Sequence, residues 1–260
     1  MISLKSSAEI EAIGQAGAIV ASALDLVAER CLPGVSTEEL DRVAEGRIRE
    51  FPGAVPAFKG LYGFPATLCT SLNHEVVHGI PSADRVLAAG DIISVDVGVR
   101  VDGYYADAAV TVPVGDMDLE TDRLLSVTRS ALETGIQQAR LGNRVGDIGA
   151  AIQADVEQEG FSVIRELVGH GVGAAPHEEP QVPNYGRAGH GLRLEPGLVI
   201  AIEPMVNTGK RHIRTLKDGW TVVTADGSRS AHFEHTVAIT DAGPRVLTAV
   251  PVTTMVDGER

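Results

Sequence analysis

The run IISVDVGVRVDGYYADAAVTV, residues 92–112, limits what this chain can become more than any other stretch. Two apolar, strand-forming segments flank Asp102-Gly103. That dipeptide favours a two-residue hairpin turn, whose central residues both need positive φ. The turn sets a register in which Val101 pairs with Tyr104, Asp96 lies opposite Ala109, and Asp107 lies opposite Gly98. Successive side chains alternate faces, so Asp96 and Asp107 share one face. As diagonal neighbours they stand roughly 7–8 Å apart at the backbone. Two carboxylates so placed repel one another unless a proton or a cation lies between them. A divalent metal satisfies both. Taken alone, the hairpin also admits one Asp capping a loop while the other faces solvent.

The flanking sequence supplies helices. Ser6 or Ser7 caps an apolar-periodic segment running through Val27, and LPGVSTEEL breaks it. Ser36-Thr37-Glu38-Glu39 then starts a second helix, with a capping hydroxyl and early acidic residues meeting the free N–H groups. FPGAVPAFKGLYGFPA reads as a loop, and strands follow from about Thr67 to Val112. After Asp118 the order returns: helices over residues 119–140 and 146–159, a glycine-rich segment at 169–175, and strands from Leu198 to Ile239. LAAGDIISVD and LEPGLVIAIE align at an offset of 107, matching Leu87 to Leu194, Gly90 to Gly197, and Asp96 to Glu203. A match this short can also arise by chance, but with the same helical order before it the self-similarity favours duplication within a single domain spanning residues 1–260, in halves of about 1–115 and 116–250.

Composition narrows the chemistry. Acidic residues outnumber basic ones, 35 to 22, for a net charge of −13, which argues against DNA as a partner. The balance suits bound metals or cationic substrates, and equally plain solubility. Aromatics make up 4%, so the core is expected to be aliphatic. Cys31 and Cys69, the only cysteines, exclude a disulfide scaffold and fit a reducing cytoplasm. The N-terminal apolar stretch, interrupted by Glu9, Glu11 and Asp25, reads as an amphipathic helix rather than a signal peptide. No run reads as long enough to cross a membrane.

Further stretches add ligand types. Glu203 ends the apolar strand of VIAIEPM, Glu234 lies in SAHFEHTVAIT, and His170 is wrapped in glycines in ELVGHGVGAAPHEEP. Four carboxylates and one imidazole suit two divalent ions roughly 3.5–4 Å apart. His78 and His177, each beside a turn-forming residue, are candidates to donate hydrogen bonds to a carbonyl becoming an oxyanion; the alternative is ordinary loop histidines. His190, His212, His232 and His235 read as structural or surface residues, and Glu178 and Glu179 as solvated or structural. No Walker loop or Rossmann glycine fingerprint is present. Cys69 reads as a pocket wall rather than a nucleophile.

These residues resemble the type I methionine aminopeptidases of the pita-bread fold. The resemblance runs from SSAEIEAIGQAG to EHTVAIT and rests on NHEVVHGIP, GDIISVDVGVRVDGYYADAA, GHGVG, PHEEPQVPNYG, AIEPM, TLKDGWTV and FEHT in that order. It implies an α/β fold of two pseudo-symmetric halves, with outer helices on a curved antiparallel sheet and metals on its inner face. Asp96, Asp107, His170, Glu203 and Glu234 would ligate two divalent ions (cobalt, manganese, iron(II) or zinc), with Asp107 and Glu234 bridging. Metal-activated water would attack the first peptide carbonyl, Glu203 would assist proton transfer, and His78 and His177 would contact the substrate. The substrate would be the initiator methionine of a nascent polypeptide whose second residue is small. Phe64, Cys69 and Trp220, with Tyr62 nearby, would wall the methionine pocket. Pro176 and Phe64 stand where the family often has an aromatic residue and a tyrosine. The chain looks like the short bacterial form, expected to be a monomer. A prolidase or Xaa-Pro aminopeptidase shares the ligands but usually carries an extra N-terminal domain; a non-catalytic homologue would be expected to lose ligands. Lys210, Arg211, Arg214 and Lys217 form a basic loop that either contacts ribosomal phosphates at the tunnel exit or is simply solvated.

Overall fold

The hairpin forms in the register its turn dictates. In the computed structural model of the chain, Val101 pairs with Tyr104, Asp96 with Ala109 and Gly98 with Asp107. Asp102 and Gly103 have φ of 49° and 90°, the signs a type I′ turn needs. The structure describes residues 2–249; Met1 and residues 250–260, including the last residue of the expected second half, lie outside the described residues.

Four α-helices form among the described residues: α1 (Ser7–Ala28), α2 (Thr37–Arg49), α3 (Leu119–Gln138) and α4 (Val145–Gln158). The strands are β1 (Val55–Pro56), β2 (Leu68–Leu72), β3 (Glu75–Val77), β4 (Ile92–Val101), β5 (Tyr104–Pro113), β6 (Ser162–Val163), β7 (Gly169–Gly171) and β8 (Glu178–Val182). They continue with β9 (Val199–Ile202), β10 (Met205–Asn207), β11 (Ile213–Thr215), β12 (Val222–Thr224), β13 (Ser230–His232), β14 (Glu234–Thr240) and β15 (Gly243–Val246). Local chemistry sets the helix starts. Ser6 Oγ accepts from the Glu9 N–H while the Glu9 carboxylate accepts from the Ser6 N–H, a capping box. Ser36 and Asp118 cap α2 and α3 by the same kind of bond.

A nine-stranded sheet runs β1-β4-β5-β14-β9-β7-β8, with β2 beside β4 and β15 beside β14. Its pairings are antiparallel. Two three-stranded sheets, β13-β10-β6 and β11-β12-β3, flank it. Alternation decides what each face carries. Val95, Val97, Val99, Ala106 and Ala108 join α1 and α2 in one aliphatic core, and Ile200 and Ile202 join α3 and α4 in another. Asp96, Asp107 and Glu203 therefore fall on the other face of their strands.

The expectation that no segment is long enough for a bilayer is corrected by α1, which is long and apolar enough by composition. Glu9 and Glu11 sit in its opening turns, so residues 12–24 carry no charge. Its apolar residues are covered within the fold, where Ile13, Val20 and Val27 are buried against the sheet.

Gly17 on α1 faces the chain at Leu247, where an added Cβ would lie 2.2 Å from the Leu247 carbonyl oxygen. Glycine to alanine in a helix interior ordinarily stabilises by up to about 1 kcal/mol. Here overpacking against backbone reverses the sign, and Gly17→Ala is expected to destabilise by about 1–3 kcal/mol. Urea unfolding checks this; a stabilised variant would contradict the packing.

Candidate functional site

Register brings the acidic residues to one place. Asp96 on β4 pairs with Ala109 on β5, and Ala109 pairs with Glu234 on β14. Ile202 on β9 pairs with His235, so Glu203, one residue on, stands beside Glu234. One row across four strands thus carries Asp96, Ala109, Glu234 and Glu203, with the small Ala109 leaving room between carboxylates. Asp107 projects from β5 two residues before Ala109. His170 enters from β7, where glycines on both sides permit tight strand packing. A Cβ on Gly169 would lie 2.3 Å from the Ala201 carbonyl oxygen, and one on Gly171 2.3 Å from that of Glu179.

All the site residues expected from the sequence line one cavity of about 300 Å³. At its floor His170 Nε2 lies 3.6 Å from Asp107 Oδ2 and 3.5 Å from Glu203 Oε1. Side-chain donor atoms of Asp107, His170 and Glu234 fall within 4.8 Å of one another, close enough to share a metal ion. Thr236 Oγ1 lies 3.0 Å from Asp107 Oδ1 and accepts from the Asp107 N–H, fixing that carboxylate. Asp96 Oδ1 is buried with no hydrogen-bond partner.

Burial pushes the carboxyl of Asp96 well above the usual range, and repulsion from Asp107 adds to it. Glu203 and Glu234 are raised by burial first and then by their acidic neighbours. Without a cation among them, Asp96, Glu203 and Glu234 therefore favour their protonated forms. Oxygen-rich donors plus one imidazole, with an orphaned carboxylate oxygen, fit a divalent metal.

The mouth and walls are aromatic and apolar. Phe64 and Trp220 meet edge-to-face at 5.1 Å between ring centroids. Cys69 is buried beside them, and burial followed by repulsion from Asp96 and Glu234 holds its thiol protonated, which suits a wall and not a nucleophile. Tyr62 stands at the rim, 78% exposed, and stacks on His177 at 6.4 Å. His177 meets His170 edge-on at 4.5 Å, and desolvation followed by repulsion from His170 lowers its proton affinity. His78 adopts φ of 60°, a costly conformation for a residue with a Cβ. Burial and the charge of His177 depress its pKa too. Gly79 follows because a Cβ there would lie 2.1 Å from the Thr70 carbonyl oxygen.

Sequence reading missed further lining residues. Phe58, Val77, Leu167 and Met205 complete the apolar wall. His232, expected to be structural or on the surface, instead lines the cavity at 2% exposure. Alternation could have found it, because His232 stands two residues before Glu234. Glu178 is structural, paired with the buried Lys5 at the chain's beginning.

Residues 11–241 match metallopeptidase family M24. Methionine aminopeptidase 1 of Bacillus subtilis is 51% identical over 250 residues, covering 96% of this chain and 100% of that protein. The crystal structure of methionine aminopeptidase from Thermotoga maritima superposes with a TM-score of 0.94 at 46% identity, covering 95% of this chain and 99% of that one. A prolidase from Pyrococcus furiosus shares the fold at a TM-score of 0.76 and 23% identity, covering 95% of this chain and 65% of that one.

Proposed function

The chain belongs to metallopeptidase family M24, and from that premise we infer that it is a methionine aminopeptidase of the pita-bread fold. It hydrolyses the first peptide bond of nascent proteins that begin with methionine. The observation that carries this reading is the junction of an acidic, histidine-bearing floor with an apolar pocket walled by Phe64, Cys69 and Trp220. Identity to methionine aminopeptidases favours it over the prolidase reading, to which the likeness is one of fold.

Asp96, Asp107, His170, Glu203 and Glu234 would hold two divalent ions, the donor atoms of Asp107, His170 and Glu234 lying nearest one another. Cobalt, manganese, iron(II) and zinc all suit the donor set. Bound there, the ions supply Lewis acidity, which lowers the pKa of water and polarises a carbonyl. The protein's own groups do the rest. Glu203 Oε1 faces His170 and is placed to take and return a proton. His177 and His78, both disfavoured as cations, would donate N–H bonds to the scissile carbonyl as its oxygen gains charge. A thioether packs well against Phe64 and Trp220. The preference for a small second residue is assigned to the crowding of the mouth by Tyr62 and His177.

Metal-stripped protein supplied with Mn²⁺ or Co²⁺ is expected to release free methionine from Met-Ala-Ser, and nothing from Xaa-Pro peptides. Cleavage of the Xaa-Pro set alone would overturn the assignment. Trp220→Ala is expected to raise KM for Met-Ala-Ser roughly 3–10-fold, with kcat less affected, as lost sulfur–aromatic packing predicts. An unchanged KM would remove Trp220 from the pocket wall.

Three finer points complete the proposal. The enzyme acts in the cytoplasm, a reading that the two buried, unpaired cysteines support, and the family resemblance alone favours a monomer. Its halves arose by duplication. In favour of this, the isolated bridges Ser36–Val86 and Arg144–Arg193 recur at matching places, and Gly90 and Gly197 both have φ of 92°. Finally, Lys210, Arg214 and Lys217 are exposed while Arg211 leans toward Glu166 at 3.9 Å, and this basic edge would contact ribosomal phosphates. Neutralising all four is expected to reduce co-sedimentation with ribosomes at low salt; unchanged, salt-insensitive binding would exclude that contact.

A further inference from the structure

His232 is the one site group whose chemistry remains unused. It is 2% exposed, yet neither ring nitrogen has a hydrogen-bond partner. A buried polar atom left unpaired is destabilising, and in a well-packed protein each such atom calls for a reason. The backbone of His232 is, by contrast, firmly held. Its N–H donates to Thr111 Oγ1 at 2.8 Å, and its carbonyl accepts from the same hydroxyl at 2.8 Å. Across β10 it pairs with Met205, itself a wall of the cavity. The ring is thus aimed into the site by a fixed strand.

Its neighbour there is Glu203. The two carboxylate oxygens of Glu203 face different imidazoles: Oε1 lies 3.5 Å from His170 Nε2, and Oε2 lies 3.8 Å from His232 Nε2. A small rotation of the carboxylate closes the second distance to the roughly 2.9 Å of an N–H···O bond. A neutral imidazole offers one donor and one acceptor, and both ring nitrogens of His232 are free to serve.

We propose that His232 is a positioning residue for the reaction, donating from Nε2–H to Glu203 Oε2 and so turning Oε1 toward His170 and the reacting centre. The proposal rests on the reading of Glu203 as a metal ligand and proton carrier. Hydrogen bonds behind ligands orient them, and their loss commonly lowers metal affinity or activity about 10–100-fold. Gln can replace the donor; Leu fills the space without one.

The test compares His232→Leu and His232→Gln with the wild type by kcat and KM on Met-Ala-Ser, by calorimetric titration of metal-stripped protein with Mn²⁺, and by thermal unfolding without metal. The Leu variant is expected to lose about 10–100-fold in kcat with KM nearly unchanged, and to bind its weaker Mn²⁺ ion less tightly by a similar factor. It should unfold no earlier than wild type, because an unpaired buried polar group has gone; a merely structural role would lower its melting temperature instead. The Gln variant is expected to retain both kcat and Mn²⁺ binding within about threefold, for it keeps an N–H donor. Wild-type kcat and Mn²⁺ affinity in the Leu variant, or equal impairment of Leu and Gln, would overturn the proposal. Should the Leu variant not fold, His232→Asn, whose amide is too short to reach, replaces it against Gln. Failure of the wild type to release methionine with any metal would overturn the aminopeptidase reading and this role with it. Wild-type release beside an unimpaired Leu variant would overturn the role alone.

Discussion

Asp107→Asn is expected to lower kcat/KM for Met-Ala-Ser by about 10³–10⁴-fold, the equivalent of roughly 4–5.5 kcal/mol of transition-state stabilisation. Asp107 is the carboxylate through which the cluster is joined. It faces His170, groups with Glu234, and contributes to the raised pKa values of Asp96, Glu203 and Glu234. The loss should not come from unfolding. Removing one of four converging negative groups relieves repulsion, so the metal-free variant is expected to melt at or above the wild-type temperature. Steady-state kinetics and thermal unfolding on one preparation decide it. A variant keeping a tenth of wild-type activity would show that the cluster is not the reacting centre.

The second large effect concerns metal removal and pH. Folded, metal-free protein holds protons on Asp96, Glu203 and Glu234 that the unfolded chain has already released, because burial and mutual repulsion raise their pKa values. Stability from these groups is full below about pH 4 and is lost as pH rises through the raised values. His78, His177 and the buried His232 and His235 have depressed pKa values. Their contribution runs the other way, being complete above about pH 6.5 and lost on acidification. Between neutral pH and about pH 8, where thiols and phenols stay largely protonated in the unfolded chain as well, the carboxylates tilt the balance, and the chelated protein is expected to weaken. A divalent cation takes the place of those protons and reverses the trend. At 100 times its Kd it adds about 2.7 kcal/mol, roughly 5–10 °C in melting temperature for a chain of this size. The gain should be larger at pH 8 than at pH 5.5. Melting curves with chelator and with Mn²⁺ at both values test this; equal gains would mean that metal binding displaces no protons.

Much of this arrangement was legible in the sequence because it rests on short-range rules. Asp102-Gly103 fixed the turn, the turn fixed the register, and alternation then put Asp96 and Asp107 on one face. Ser6, Ser36 and Asp118 announced their helices by hydroxyl or carboxylate caps. What escaped depends on contacts distant in sequence. β1 (Val55–Pro56) lies inside a stretch rich in proline and glycine, and pairs only because β4 offers a free edge. β8 begins at Glu178 within PHEEP, held by β7 and by the buried Lys5. Phe58, Val77, Leu167 and Met205 meet in the cavity although no local pattern sets them apart from core residues. His232 carried a local signal, its spacing from Glu234, but a histidine in an apolar strand is ordinarily structural, and that base expectation hid it.

The hairpin of β4 and β5 also governs how this protein can change length. Asp96 and Asp107 sit at fixed steps on either side of the turn, and each step inverts the direction of a side chain. One residue added between Asp96 and Asp102 would send a carboxylate into the layer occupied by Val95 and Val97, unless a bulge absorbed it. Two added residues would restore its direction. Insertions and deletions in this arm are therefore constrained by parity rather than by size. The nearby turn, where Gly103 meets nothing that a side chain would strike, can lengthen outward without disturbing the count.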